Sequence, residues 1–233
     1  MDTLTTHRRQ KLLHAALFAF AGLLALQSIW ITLPELIRTS PLAFPRETQS
    51  SPISSSEGNR IGWAAELALV RGDLWAEDAI AQSSELIRDV ELRKAGQSAG
   101  QVQAGRSTAE KAAMLSPHDA RVWLLLASMD CLLHGGASGA LKMSYYTGSN
   151  EIVLMPLRLL VATCSDEIND AELQNLVARE IRFIITREQN LKPVILAAYQ
   201  NAPATGKRFI ETVVGDLDSG LAATIRGIKD RNK

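Results

Sequence analysis

An all-α fold, with an N-terminal transmembrane helix followed by antiparallel helix pairs, is predicted by three observations. Residues 12–33, LLHAALFAFAGLLALQSIWITL, contain no Asp, Glu, Lys or Arg. From Ile61 onward, Gly and Pro fall between apolar runs whose period is that of a helix. No alternating apolar–polar pattern, the mark of a half-buried strand, runs longer than five residues.

The first run is long enough to cross a bilayer. Its 22 residues rise about 1.5 Å each and span roughly 33 Å, against a hydrocarbon core of about 30 Å. His7, Arg8, Arg9 and Lys11 precede it. By the positive-inside rule, residues 1–11 then stay in the cytoplasm and the rest of the chain lies on the other side of the membrane. A cleaved signal peptide is the rival reading. Signal peptides have shorter apolar cores ending at a small-x-small site, whereas the Ala19-Phe20-Ala21 match here sits mid-run and Pro34, Glu35 and Arg38 follow. A cytosolic apolar helix is a further alternative. The expectation is an uncleaved single-pass anchor. Ala21 and Ala25 form a small-xxx-small pair, although alanine is common in any spanning helix. His14 reads as a neutral imidazole near the headgroups.

Residues 34–58, PELIRTSPLAFPRETQSSPISSSEG, hold Pro34, Pro41, Pro45 and Pro52 and six serines. Proline is unfavourable in helix interiors, and a serine-rich tract buries too little apolar surface to offset its ordering entropy. This segment reads as a linker with a root-mean-square reach of roughly 28 Å, able to hold the following domain off the membrane. Residues 59–233 are ordinary size for one domain. Without the N-terminal charges, 22 basic residues stand against 24 acidic ones. That balance argues against a nucleic-acid binder, which shows a basic patch or basic excess.

The helices of the domain follow in order. In Arg71-Gly72-Asp73, Gly72 reads as a helix stop and Asp73 as the next N-cap; the tripeptide also matches an adhesion motif, but capping is the simpler reading. Asp73 to Lys94 forms one long helix with Leu74, Trp75, Ala79, Ile80, Leu86, Ile87 and Val90 as its buried stripe. Residues 96–105, with three glycines, are a loop or a weak helix start, and Thr108 to Leu115 is helical.

Residues 109–127, AEKAAMLSPHDARVWLLLA, resemble the junction between two tetratricopeptide repeats. Small residues Ala109, Ala112 and Ala113 precede Pro117, and Trp123, Leu126 and Ala127 follow. The resemblance covers one repeat, Asp119 to Ile152, and implies paired helices packed closely through small side chains, with Trp123 filling the hole between neighbours. Asp130 and Leu141 depart from it, standing where aromatic residues are more usual. Gly135-Gly136 breaks the helix, and a second one through Ala140 and Leu141 ends near Tyr146. Residues 140–162, ALKMSYYTGSNEIVLMPLRLLVA, are similar to membrane-anchored proteins of rhizobia and related bacteria that accompany polysaccharide export. This implies a place in the cell envelope and no defined activity.

Further helices run from Asn150 or Ser149 to Cys164, with Pro156 in the first turn, and from Asp170 through Leu173, Leu176, Val177, Ile181, Ile184 and Ile185. Leu191 to Asn201, Thr205 to Val214 and Leu217 to Ile228 complete nine or ten helices in a short array.

Chemistry is sparse. His7, His14, His118 and His134 form no metal-ligand spacing, and neither a phosphate-binding glycine loop nor a nucleophile elbow is present. No cofactor is implied. Glu151 and Asp166-Glu167 read as helix N-terminal acids favoured by the dipole. Cys131 and Cys164, 33 apart, are close to one repeat period and are candidates for a disulfide in an oxidising compartment; the plainer alternative is two buried thiols.

The recognition candidate is the loop region Ser144 to Asn150, where two of the three tyrosines are adjacent. Tyr145, Tyr146, Asn150 and the nearby Arg158 are the candidate binding residues, since exposed Tyr beside small polar residues suits recognition. Against this, one Tyr could be core and the other a helix-end aromatic, with Arg158 paired to Glu151. The expected function is a membrane-anchored scaffold or adaptor contacting a protein partner in the bacterial envelope, in polysaccharide synthesis or export. The alternatives are an envelope enzyme whose acids converge only in three dimensions, or a small subunit of a membrane complex.

Overall fold

In the computed structural model, residues 3–37, 55–68, 71–92, 99–133, 136–164 and 166–231 are described. Among them are eleven α-helices and no strand, so the fold is all-α. The helices are α1 (Thr3–Ile37), α2 (Ser55–Ala68), α3 (Gly72–Leu92), α4 (Ala99–Leu115), α5 (Ala120–Leu132), α6 (Ser138–Thr147), α7 (Met155–Ala162), α8 (Ala171–Thr186), α9 (Lys192–Asn201), α10 (Ala204–Leu217) and α11 (Ser219–Arg231). Single 3-10 turns precede α7, α8 and α9.

Within α1, Leu13–Ile37 is long and apolar enough to cross a membrane, and its side chains from Leu13 to Leu33 are exposed. The helix does not stop at Pro34, which lies inside it. Proline removes only one intrahelical donor, and the last turn is held from outside. Trp30 Nε1 donates to the Leu67 carbonyl of α2 at 2.8 Å, and Arg71 Nη1 donates to Glu35 Oε2 at 3.0 Å. Of the segment expected as linker, residues 34–37 therefore continue α1 and 55–58 open α2, while 38–54 lie outside the described residues.

From α3 onward the helices form two rows. The odd-numbered helices pack on one another, α3 on α5, α5 on α7, α7 on α9 and α9 on α11. The even-numbered row carries α6 on α8 and α8 on α10. Sequence neighbours are antiparallel, as short connections require. Gln82 meets Thr108 while Lys111 lies over the Trp75 ring, pairing α3 with α4 head to tail. Arg106 Nε donates to Asp130 at 2.6 Å between α4 and α5, and Tyr199 donates to Glu211 at 2.7 Å between α9 and α10. One core runs between the rows, from Leu74 and Ile80 through Leu124, Leu125 and Leu159 to Ile181, Ile195 and Ile210.

Local rules explain several ends. Asp119 and Asp170 are N-caps of α5 and α8, their carboxylates accepting from Arg121 N and Leu173 N. Pro156 sits in the first turn of α7, where its missing donor costs nothing. Asp130, the departure from the repeat pattern, is buried and answered by Arg106. The three glycines do not delay α4: it begins at Ala99, and Val102 and Gly105 are buried in it. Gly135 and His134 lie outside the described residues.

The Arg71-Gly72-Asp73 reading needs correcting. Gly72 is the first residue of α3 rather than a stop, and Asp73 lies within the first turn. The Arg71 carbonyl accepts from Leu74 N and Trp75 N, and its guanidinium holds the Asp73 carboxylate. Glycine is required here by packing. A Cβ would lie 2.4 Å from the Leu115 carbonyl oxygen and 2.6 Å from its carbon, both backbone at the end of α4. Gly72→Ala should thus destabilise by about 1–3 kcal/mol through overpacking, although Ala alone favours a helix by about 1 kcal/mol. Urea unfolding decides the sign, and a more stable variant would show that α3 and α4 do not approach this closely.

Candidate functional site at the seam of α6 and α8

The recognition candidates lie around α6, and the structure separates them. Helical spacing puts neighbours Tyr145 and Tyr146 about 100° apart around the axis, so one can face the core and the other solvent. Tyr145 is 4% exposed, whereas Tyr146 is 56% exposed. Asn150, in the turn after α6, is exposed. Arg158 on α7 is 0% exposed. The four candidates therefore do not form one surface. Tyr145 and Arg158 are corrected to interior residues, and only Tyr146 and Asn150 remain available to a partner.

The buried pair belongs to a polar cluster inside the core. Tyr145 Oη donates to Glu180 Oε1 of α8 at 3.0 Å. Arg158 Nε donates to Ser144 Oγ at 3.0 Å and Nη2 to the Ser144 carbonyl at 2.5 Å. Its guanidinium lies 5.0 Å from the Tyr145 ring centroid, and Nη1 stands 3.9 Å from Glu180 Oε2. Ser144 Oγ in turn donates to the Ala120 carbonyl at 2.9 Å. Three odd and even helices, α5, α6 and α7, are thereby tied to α8. Burial pushes the Glu180 carboxyl up to about 8, with Arg158 and the Tyr145 bond pulling the other way. Burial also pushes the Tyr145 phenol well up and draws the Arg158 guanidinium down. Arg158 therefore pairs with Ser144 and faces Glu180; Glu151 contributes only a longer-range field.

Signals for this burial existed in the chain. Glu180 falls on the apolar stripe of α8 between Val177 and Ile184. Arg158 is the one charge in a helix apolar on all sides, MPLRLLVA, and such helices are interior. Sequence alone makes Glu167 a dipole-favoured acid of its own segment. Instead its carboxylate accepts from Ala137 N at 2.9 Å and from Ser138 N, capping α6 from a distant part of the chain.

The outer side of the seam carries charge. Tyr146 Oη donates to Glu172 Oε1, while Lys142 Nζ donates to Asp170 at 3.1 Å and Glu172 at 3.0 Å. The Tyr146 bond, then Lys142, holds the Glu172 carboxyl below its ordinary value. The phenol is raised mainly by the same bond. The arrangement can present a tyrosine ring beside a paired carboxylate and ammonium. Among the described residues, no group of three His, Cys, Asp or Glu side chains could hold a metal ion.

Cys131 at the end of α5 and Cys164 just past α7 are joined as a disulfide, their Cα atoms 6.6 Å apart. The bridge links successive helices of the odd row. Closing a loop of this length removes about 4 kcal/mol of unfolded-chain entropy in the chain-entropy model. Reduction, or Cys131→Ser with Cys164→Ser, should lower stability by about that amount, read by urea unfolding with and without reductant. Two alkylatable thiols in protein trapped directly from cells would show that the bridge does not form in the native compartment.

No protein-family model, curated protein or solved structure matches this chain.

Proposed function

We propose that this chain is a membrane-anchored scaffold or adaptor of the bacterial cell envelope, with residues 1–11 in the cytoplasm, residues 12–33 of α1 across the inner membrane and the helical array in the periplasm. The observation that carries this reading is the union of one exposed apolar helix with a layered helix array whose polar interior is structural. The side chains able to do acid–base chemistry at the seam, Glu180 and Tyr145, are buried and bonded to each other. The groups that reach solvent, Tyr146, Lys142 and Glu172, are a contact surface in chemistry: an aromatic ring with one charge of each sign. Helix arrays of the tetratricopeptide kind use such faces to hold protein partners, and polysaccharide synthesis or export is the pathway suggested by residues 140–162.

A photo-crosslinker at position 146, compared with one at exposed Met114 on α4, tests the adaptor reading in cells. A specific envelope partner is expected from position 146 and not from 114, and its loss in a Lys142→Ala, Glu172→Ala background would assign the surface. Equal capture at both positions would remove the seam from consideration. Reporter fusions at residue 233 that are active only in the cytoplasm would refute the periplasmic orientation.

A further inference from the structure

The contact between α1 and α2 constrains where the domain sits. The candidate span runs Leu13–Ile37, and Trp30 lies in its final third. Counted from Leu13, a helix needs about 20 residues to cross the hydrocarbon, so Trp30 reaches the far interface, the level that Trp and Tyr favour. The Leu67 carbonyl of α2 is 2.8 Å from Trp30 Nε1. Arg71, just past α2, is 3.0 Å from Glu35. Two contacts separated along both segments hold α2 against the end of the span.

The exposed face of α2 suits that depth. Arg60, Trp63 and Leu67 lie at i, i+3 and i+7, one face of the helix, and all three are exposed. Trp63 is 65% exposed and Leu67 37%, while Ile61, Ala64, Ala65 and Ala68 on the other side are buried. A tryptophan and a leucine toward the acyl boundary with an arginine reaching phosphate is the composition of an interfacial helix. On α1, Leu33 and Leu36 are also exposed beyond Trp30, so apolar surface continues from the span onto the domain side.

We propose that α2 lies in the headgroup region of the bilayer, with Trp63 and Leu67 inserted at the acyl boundary and Arg60 on lipid phosphate. The array is then seated on the membrane surface rather than held off it by the segment between α1 and α2. This inference rests on α1 spanning the membrane, and the test separates the two.

The test uses full-length protein in phosphatidylcholine–phosphatidylglycerol vesicles containing lipids brominated near the headgroup end of the acyl chains. The four tryptophans are Trp30, Trp63, Trp75 and Trp123; Trp75 is buried in the core, and Trp123 is bonded to the Pro117 carbonyl within the array. Bromine should quench Trp30 and Trp63 alone. Trp63→Phe is expected to lower the quenched fraction by about half, and Trp30→Phe to remove most of the rest. If Trp30→Phe abolishes quenching and Trp63→Phe leaves it unchanged, the span stands and the seating of α2 is overturned. Trp63 shielded from both bromine and aqueous iodide would also overturn it, in favour of a protein occupant. No quenching of any tryptophan, with protein extracted by alkaline carbonate, would overturn the anchor itself.

Discussion

Arg158→Ala should cost about 4–5 kcal/mol of folding stability, the largest effect of any single substitution considered. Arg158 has no exposed surface and is the largest fully buried side chain among the described residues. It reaches from α7 to the C-terminal end of α6, where the Ser144 carbonyl accepts from both Arg158 Nη2 and Gly148 N. A cation here answers the negative end of the α6 dipole. Truncation leaves a cavity, removes two charge-assisted bonds and deprives Glu180 of the one cation that faces it, and losing one partner of a buried ionic cluster typically costs about 3–5 kcal/mol. Part of that is relieved because Glu180 can stay protonated. Replacing both groups by apolar ones of similar volume, Arg158→Met with Glu180→Leu, should recover most of the loss, because the cavity is then filled and no buried polar group is left short of partners. Urea midpoints of the single and double variants decide it. A loss under about 1 kcal/mol for Arg158→Ala would mean that the guanidinium is not held as the bonds require.

Stability should fall as pH rises from 5 to 8, and Glu180 should be the cause. In the folded chain burial holds its proton up to about 8, against an ordinary value of 4.5. Between those values the folded state binds more protons than the unfolded one, so raising the pH favours unfolding. The contribution is fully present below about 4.5 and lost as pH passes 8. At about 1.4 kcal/mol per unit of difference, the change is on the order of 4 kcal/mol. The groups facing Glu180 are Arg158 from α7 and Tyr145 from α6. Arg158 keeps its charge through this range, and Tyr145, raised further by burial, keeps its proton. Carboxylates nearer the surface, such as Glu172 and Asp170, are lowered and act only at more acid pH. Glu180→Gln, which mimics the protonated form, should flatten the dependence. Urea unfolding at three pH values tests this; a wild-type profile that is flat or rises from pH 5 to 8 would show that Glu180 is ionised in the fold.

These two residues mark the boundary of what local pattern can tell. Asp119, Asp170 and Pro156 act within four residues of themselves, so their roles as caps and first-turn residue are legible in the chain. The α8 stripe was equally plain, since Leu173, Val177, Ile181 and Ile184 repeat at helical spacing and are buried. Tyr145 and Arg158 are binding candidates in the sequence because Tyr beside Ser, Gly and Asn suits a recognition loop, and which of the two tyrosines is core is not legible there. What buries them is the arrival of Glu180, 35 residues from Tyr145, and of Ser144, 14 residues before Arg158. Glu167 caps α6 across a gap of 29 and 30 residues by the same logic. Pro34 obeys its local rule only in part, because Trp30 and Glu35 gain partners on the α2 side that hold the last turn of α1.

What the amino-acid sequence determined by itself is the all-helical class, the order of most helices and the single apolar run able to span a bilayer. Each depends on side-chain periodicity or on charge content within a few turns, quantities a chain carries wherever it folds. Only the tertiary structure decided which polar groups lie inside, why Gly72 admits no side chain, and that α2 packs against the end of α1. Those outcomes depend on distances between segments far apart along the chain, and such distances exist only once the helices have packed.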